Sequence, residues 1–223
     1  MQPLPQLSAV LFDLDGTLLD TAPDMIATLD QLLAEESRPP IDYEYGRAHV
    51  SNGALGLIDI AFGELEEAHR LSLRDRYLKL YETQLARLTT TFDGMDIVLE
   101  HLEQANILWG IVTNKPAYLT EPLLETLGLL SRSACIVSGD TLPERKPHPR
   151  PLLYASEMIG LEPASAMYVG DANRDIEAGR AAGMTTAAAT YGFIMPDDDP
   201  GNWQADHYVD HPVDIIPLVK RYA

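Results

Sequence analysis

The chain has 223 residues, 46% of them apolar and 22% charged, the proportions of an ordinary globular protein with room for one large domain or a core domain with an insert. Its net charge of −18 argues against nucleic acid or an anionic membrane as partner, and any anion-binding site must then carry local positive charge of its own. No stretch approaches the roughly 20 apolar residues that span a bilayer, the N-terminal MQPLPQLSAVLF lacks a basic region, and the lone Cys135 excludes an intrachain disulfide or a thiolate metal cluster, so a cytoplasmic protein is expected.

Residues 7–13 predict a first, buried strand that runs into Asp13-Leu14-Asp15-Gly16-Thr17. Residues 22–36 have apolar positions at helical spacing, with Thr21 as N-cap, Pro23 in the first turn, and Arg38-Pro39-Pro40 as the stop. Residues 42–61 and 64–88 are helical in pattern too, and no strand is predicted between them. From residue 94 strands and helices alternate: helix 94–105, strand 107–113, helix 116–127, strand 134–138, helix 149–160, strand 166–170, helix 173–182 and strand 185–189. A short edge strand at 206–209 and a helix over 212–222 complete the pattern. The acidic Pro196–Asn202 segment reads as a solvated loop.

This alternation predicts an α/β fold, a Rossmann-like doubly wound parallel sheet with helices on both faces. The all-helical stretch interrupts it after the first strand. The expected organisation is a Rossmann-like core of residues 1–19 and 91–223 and a helical cap of residues 20–90, joined by linkers near 18–21 and 88–93.

Asp13 and Asp15, two residues apart at a strand end, point the same way. Their mutual repulsion is relieved by a divalent cation, and one carboxylate is then free to attack an electrophile. Ligands of open α/β sheets bind beyond the carboxyl ends of the strands, where the predicted strands also place Thr113-Asn114 and Gly170-Asp171, with Asp175 following. Lys146-Pro147-His148-Pro149-Arg150-Pro151 lies between them. Trp109 and Cys135 read as core. The six histidines show no ligand spacing, and Lys115 and Arg174 read as surface charges flanking the motifs.

DLDGT at 13–17, TN at 113–114, KPHPRP at 146–151 and GDANRD at 170–175 together resemble, in kind and order, the haloacid dehalogenase superfamily of phosphohydrolases. The resemblance implies a phosphomonoesterase with Asp13 as nucleophile, forming an aspartyl-phosphate, and Asp15 as general acid/base. It implies Mg²⁺ held by Asp13, the Asp15 carbonyl, Asp171 and Asp175, the last two taken as i and i+4 on one helix face. Thr113 and the Asn114 amide would bind phosphoryl oxygens, and Lys146 would neutralise them and the nucleophile. The substrate would be a small phosphorylated metabolite and the protein a monomer or homodimer.

Within the superfamily, Asp15 argues against dehalogenation. Lys79, the cap's only lysine, lies in a charged amphipathic helix, which argues against Schiff-base phosphonate cleavage. A sugar phosphomutase and a catalytically silent phosphometabolite-binding protein stay open. The helical insert resembles the phosphoglycolate phosphatases, although Phe92-Asp93-Gly94 stands where a Pro-Gly pair is common. Residues 107–116, 191–206 and 210–212 resemble the N-acetylmuramic acid 6-phosphate phosphatases of bacterial cell-wall recycling. Ser51, Asn52 and Gly53, in a polar turn between two cap helices, are the candidate substrate contacts; a plain N-cap is the other reading.

Overall fold

The computed structural model describes residues 6–222; the part of the N-terminal reading that falls on residues 1–5 lies outside them. Six parallel strands form the main sheet: β1 (Ala9–Phe12), β4 (Leu108–Val112), β5 (Ile136–Val137), β6 (Ala166–Gly170), β7 (Thr185–Ala189) and β8 (His207–Val209). Their order is β5-β4-β1-β6-β7-β8. β1 is central and solvent-free on both sides, which is why its sequence is a continuous apolar run rather than an alternating one. The order reverses direction between β1 and β6, and that switch point opens a crevice at the carboxyl ends of both strands.

Helices α5 (Met95–Gln104), α6 (Ala117–Thr126), α7 (Arg150–Ile159), α8 (Asn173–Ala182) and α9 (Ile215–Val219) accompany the strands. One apolar cluster, with Phe12, Leu99, Trp109, Val169 and Leu218, covers one face. A second, with Leu11, Val137, Leu152, Tyr168 and Ala178, covers the other. Trp109 and Cys135 are core residues, and burial raises the Cys135 thiol to about 11. The predicted C-terminal helix is shorter than expected, a 3₁₀ turn at Pro212–Asp214 followed by α9.

Between β2 (Leu19–Asp20) and β3 (Thr90–Thr91) stand α1 (Ala22–Glu35), α2 (Tyr43–Ala48), α3 (Gly53–Phe62) and α4 (Glu67–Glu82). They enclose an apolar cluster of their own, built on Leu29, Leu32, Leu57 and Tyr77, with Leu119 and Phe193 joining from beside the sheet. Three local expectations need correction. The segments read as linkers pair with each other as a two-residue antiparallel ribbon. The stretch 42–61 is not one helix: a 3₁₀ turn at Val50–Asn52 splits it, and Gly53 at φ +70° resets the direction. Thr21 stands at the N-cap position of α1, but its hydroxyl is buried without a partner and caps nothing.

The two ends of the insert are tied down. Buried Asp24 in α1 accepts hydrogen bonds from the Leu88 N–H (2.9 Å), the Thr89 N–H (2.9 Å) and the Thr89 hydroxyl (2.7 Å). Phe92, the departure noted in the sequence, packs its ring edge-on against Tyr191 (centroids 5.0 Å apart) and tilted against Phe193 (6.0 Å), so the returning strand is anchored by aromatic packing.

Candidate active site

The carboxyl ends of β1, β4 and β6 bring together the residues singled out in the sequence. β1 delivers Asp13, whose carboxylate accepts the Leu14 N–H at 2.7 Å. β6 ends at Gly170, and Asp171 follows in the loop. Asp175 lies in the first turn of α8, where its Oδ2 accepts the Ala172 N–H at 3.1 Å. Asp171 and Asp175 therefore do not share a helix face, as i, i+4 spacing suggested. Asp171 precedes the helix, and the strand-to-helix turn brings the pair together.

Asp13, Asp171 and Asp175 are all buried, and each places a carboxylate oxygen within 4.8 Å of the others. Burial, then the charges of Asp13 and Asp175, raise the Asp171 carboxyl to about 7 against hydrogen bonds from the Phe193 N–H and Ser51. Burial raises Asp175 too, opposed chiefly by Lys146. Lys146 has a fully buried ammonium, 2.9 Å from Asp13 Oδ1 and 2.8 Å from Asp175 Oδ1, donating to the Tyr168 hydroxyl at 2.8 Å. Asp175 Oδ1, although close to that ammonium, receives no aligned hydrogen bond. One lysine cannot balance three buried carboxylates. An all-oxygen cluster with an oxygen left directionally unsatisfied fits a hard divalent cation.

Gly16 allows this approach. It adopts φ +86°, and a Cβ there would collide with the Asp171 carboxylate and the Phe193 ring. Asp171 is gripped on every side: the Thr17 hydroxyl (3.2 Å) donates to Oδ1, and the Phe193 N–H (2.9 Å) and the Ser51 hydroxyl (2.7 Å) donate to Oδ2.

Asp15 stands apart from the three-carboxylate cluster. Its two oxygens lie 2.9 and 3.3 Å from the ammonium of Lys115, which also donates to the Tyr81 hydroxyl of α4 at 3.1 Å. Lys115 is thus no surface charge, being 8% exposed, and it is the principal residue that sequence reasoning missed. The available signal was its place directly after Thr113-Asn114 at a strand end. Arg174 is also half-buried, donating to the Ser51 carbonyl at 2.8 Å. Burial works against its charge, but Asp175, Asp13 and Asp171 outweigh that and raise its pKa.

Thr113 accepts the Lys115 N–H at 3.1 Å. It does not cap α6, whose first N–H goes instead to Asp140 (2.8 Å). The Asn114 side chain exchanges two hydrogen bonds with the Lys146 backbone (3.0 and 3.1 Å) and so fixes the lysine loop. Across the crevice, Ser51 reaches Asp171 rather than capping α3. Asn52 occupies the N-cap position without a capping bond and donates weakly to the Met195 sulfur (3.6 Å). Gly53 lines the cavity beside them.

That cavity has a volume of about 570 Å³. Asp13, Asp15, Thr113, Asn114 and Lys115 form its floor, and Met25, Val50, Leu55, Tyr77, Leu78 and Tyr81 of the helical insert form much of its roof. Its acids are Asp13 and Asp15 alone, against the cations Arg74, Lys115, Arg145 and Arg174. A chain of net charge −18 thus holds a cationic cavity, the local reversal that an anionic ligand requires.

Residues 10–189 match the family model of haloacid dehalogenase-like hydrolases. The chain belongs to this family. It is 50% identical over 204 residues to a phosphoglycolate phosphatase of Xanthomonas campestris pv. campestris, covering 92% of each chain. It is 46% identical over 215 residues to an N-acetylmuramic acid 6-phosphate phosphatase of Pseudomonas putida, covering 96% of each. Among solved structures, a "predicted phosphoglycolate phosphatase" from Haemophilus somnus superimposes with a TM-score of 0.86 at 27% identity, over 96% of this chain and 99% of that one. The α/β core and the phosphatase class of this hydrolase agree with the expectations from sequence. No described helix is long and apolar enough to cross a membrane.

Proposed function

We propose that this phosphatase hydrolyses N-acetylmuramic acid 6-phosphate with Mg²⁺ bound at Asp13, Asp171 and Asp175, the Asp15 carbonyl completing the set. The observation that carries the reading is the cationic 570 Å³ cavity directly above Asp13. Its volume lies within the roughly 300–1,000 Å³ of sites that enclose ligands of drug size. A two-carbon acid would leave most of it to water, whereas an N-acetylated sugar ether fills it against the apolar roof.

In this reading an Asp13 oxygen attacks phosphorus, and the bond from phosphorus to the sugar oxygen breaks. Asp15 protonates the departing oxygen, then takes the proton of the water that attacks the aspartyl-phosphate, regenerating Asp13 and releasing phosphate. Lys146 neutralises the nucleophile and a phosphoryl oxygen, and Thr113 with the Asn114 backbone N–H holds the others. When bound, Mg²⁺ supplies charge stabilisation to the phosphoryl oxygens. Residues 20–90 act as the cap that excludes water, with Ser51, Asn52 and Gly53 at its contact edge.

A second reading, 2-phosphoglycolate as substrate, is favoured by the name of the Xanthomonas relative. Phosphate release from the two esters, measured in parallel with Mg²⁺ and with EDTA, decides. A higher kcat/KM for the amino sugar, lost in EDTA, is expected. A preference for phosphoglycolate would replace the first reading with the second. Transfer of phosphate to a sugar without its release would indicate a mutase.

A further inference from the structure

The cavity's floor and roof differ in how their cations are employed. On the floor side, Lys115 is committed to Asp15, Arg174 to the Ser51 carbonyl, and Arg145 donates its Nε to the Gly139 carbonyl at 2.6 Å. The roof contributes a single cation to the lining, Arg74 of α4. It shares a helical stripe with Tyr77, Leu78 and Tyr81, at spacings of three, four and seven residues, and all four line the cavity. A guanidinium in that apolar stripe brings a positive charge to an otherwise apolar part of the roof.

Among the described residues, its polar partner is its chain neighbour. Arg74 Nε and Nη2 both approach one oxygen of Asp75, at 2.9 and 2.6 Å. The pair is exposed, the side chains retaining 32% and 58% of their accessibility. Exposed pairs of this kind add little stability, so the guanidinium is readily exchanged to another carboxylate. A ligand carboxylate inside the cavity can be held by the two-pronged geometry that one Asp75 oxygen does not satisfy.

We propose that Arg74 binds the carboxylate of a substrate that carries both a phosphate ester and a carboxylate, and thereby sets the selectivity of this enzyme. The phosphate lies on the Asp13 floor and the carboxylate meets the roof, so the ester is read from both ends. The inference rests on the phosphatase reading of the cavity and deepens it.

The test uses two matched pairs of esters. N-acetylmuramic acid 6-phosphate is compared with N-acetylglucosamine 6-phosphate, which lacks the carboxylated ether. 2-Phosphoglycolate is compared with 2-hydroxyethyl phosphate. Wild-type protein is expected to favour the carboxylated member of at least one pair in kcat/KM. Arg74→Gln should cut that ratio about tenfold or more, mainly through KM, since a hydrogen-bonded charge contributes ~1.5–3 kcal/mol. A ratio unchanged within about twofold, including an equal loss on both members, overturns the proposal. So does a wild-type enzyme with no preference in either pair. Failure of the phosphatase reading would show separately, as no phosphate release from p-nitrophenyl phosphate with Mg²⁺. Calorimetric Kd values for the same esters on Asp13→Asn, with and without Arg74→Gln, keep Arg74 under test in that event; equal Kd values for the carboxylated member overturn its role.

Discussion

The floor and the roof of the cavity are built on opposite principles. The principal charged groups of the floor are held in place: Lys146 by Asp13 and Asp175, Lys115 by Asp15, Asp171 by three neutral donors. The roof is largely aliphatic and aromatic, with one loosely held guanidinium and a short 3₁₀ turn that touches the floor through Ser51. Preorganised charge on rigid strand ends suits a reaction common to many phosphate esters. Away from Tyr81 and Ser51, which hydrogen-bond Lys115 and Asp171, an apolar, helical roof can be altered residue by residue without disturbing that chemistry. Relatives about half identical to this chain over nearly its whole length can thus carry different substrate names.

The comparison breaks most completely at the floor. Asp13→Asn keeps the volume of the side chain and removes the carboxylate that the proposed mechanism uses as nucleophile. Turnover should fall by about four orders of magnitude or more, as for other nucleophile knock-outs, while circular dichroism and the thermal midpoint stay close to wild type. Appreciable residual turnover would remove Asp13 as nucleophile. Lys115→Met comes next. In the proposed mechanism Lys115, bonded to Asp15, acts by positioning that acid, so its loss should forfeit about ten- to a hundredfold of the 10²–10⁴ that an oriented acid contributes. The loss should be greater on an alkyl phosphate than on p-nitrophenyl phosphate, whose leaving group needs no proton. Equal losses on both would mean that Lys115 is only structural.

Metal removal sharpens the contrast through pH. In the metal-free protein the folded Asp171 carboxyl, raised to about 7, holds a proton that the unfolded chain releases near its ordinary value of 3.8. Between those values the folded state binds more protons, so stability falls as pH rises. The thermal midpoint in EDTA should therefore be lower at about pH 8 than at about pH 6. A fixed Mg²⁺ concentration, a hundred times the Kd at about pH 8, should add about 2.7 kcal/mol there, or about 5–10 °C for a chain of this size, and less at about pH 6, where Asp171 holds its proton. A midpoint indifferent to Mg²⁺ at both pH values would remove the carboxylate cluster as a metal site.

The floor was largely legible in the sequence, because strand ends concentrate its residues into short motifs. β6, β7 and α8 fall at the predicted residues, and Asp13, Asp15, Lys146, Asp171 and Asp175 meet at one edge. What was lost there is pairing across the chain. Lys115 and Asp15 are 100 residues apart, and nothing local distinguishes a buried ion pair from a solvated lysine. The roof was legible only as helices. Arg74 lies in a run of alternating charges, Glu66 to Lys79, whose amphipathic pattern is too weak to mark the face that meets the cavity. The two-residue ribbon β2–β3 is too short to carry a periodic signal.

The smallest expected effect lies where floor and roof touch. Ser51→Ala removes the hydrogen bond to Asp171 but leaves the Ser51 carbonyl, so the contact from Arg174 survives. The loss is then one hydroxyl-to-carboxylate bond, about 1.5 kcal/mol or roughly tenfold. Where it falls distinguishes two uses of that bond. If Ser51 holds the roof closed, KM for a bulky sugar phosphate rises while the apparent Mg²⁺ constant is unchanged. If Ser51 orients Asp171, the Mg²⁺ constant weakens for every substrate alike. Two features favour closure. Asp171 keeps the Thr17 hydroxyl and the Phe193 N–H after the substitution, whereas the roof keeps only the Arg174 contact to this residue. The KM shift should therefore dominate, and should be larger for an amino-sugar phosphate than for p-nitrophenyl phosphate.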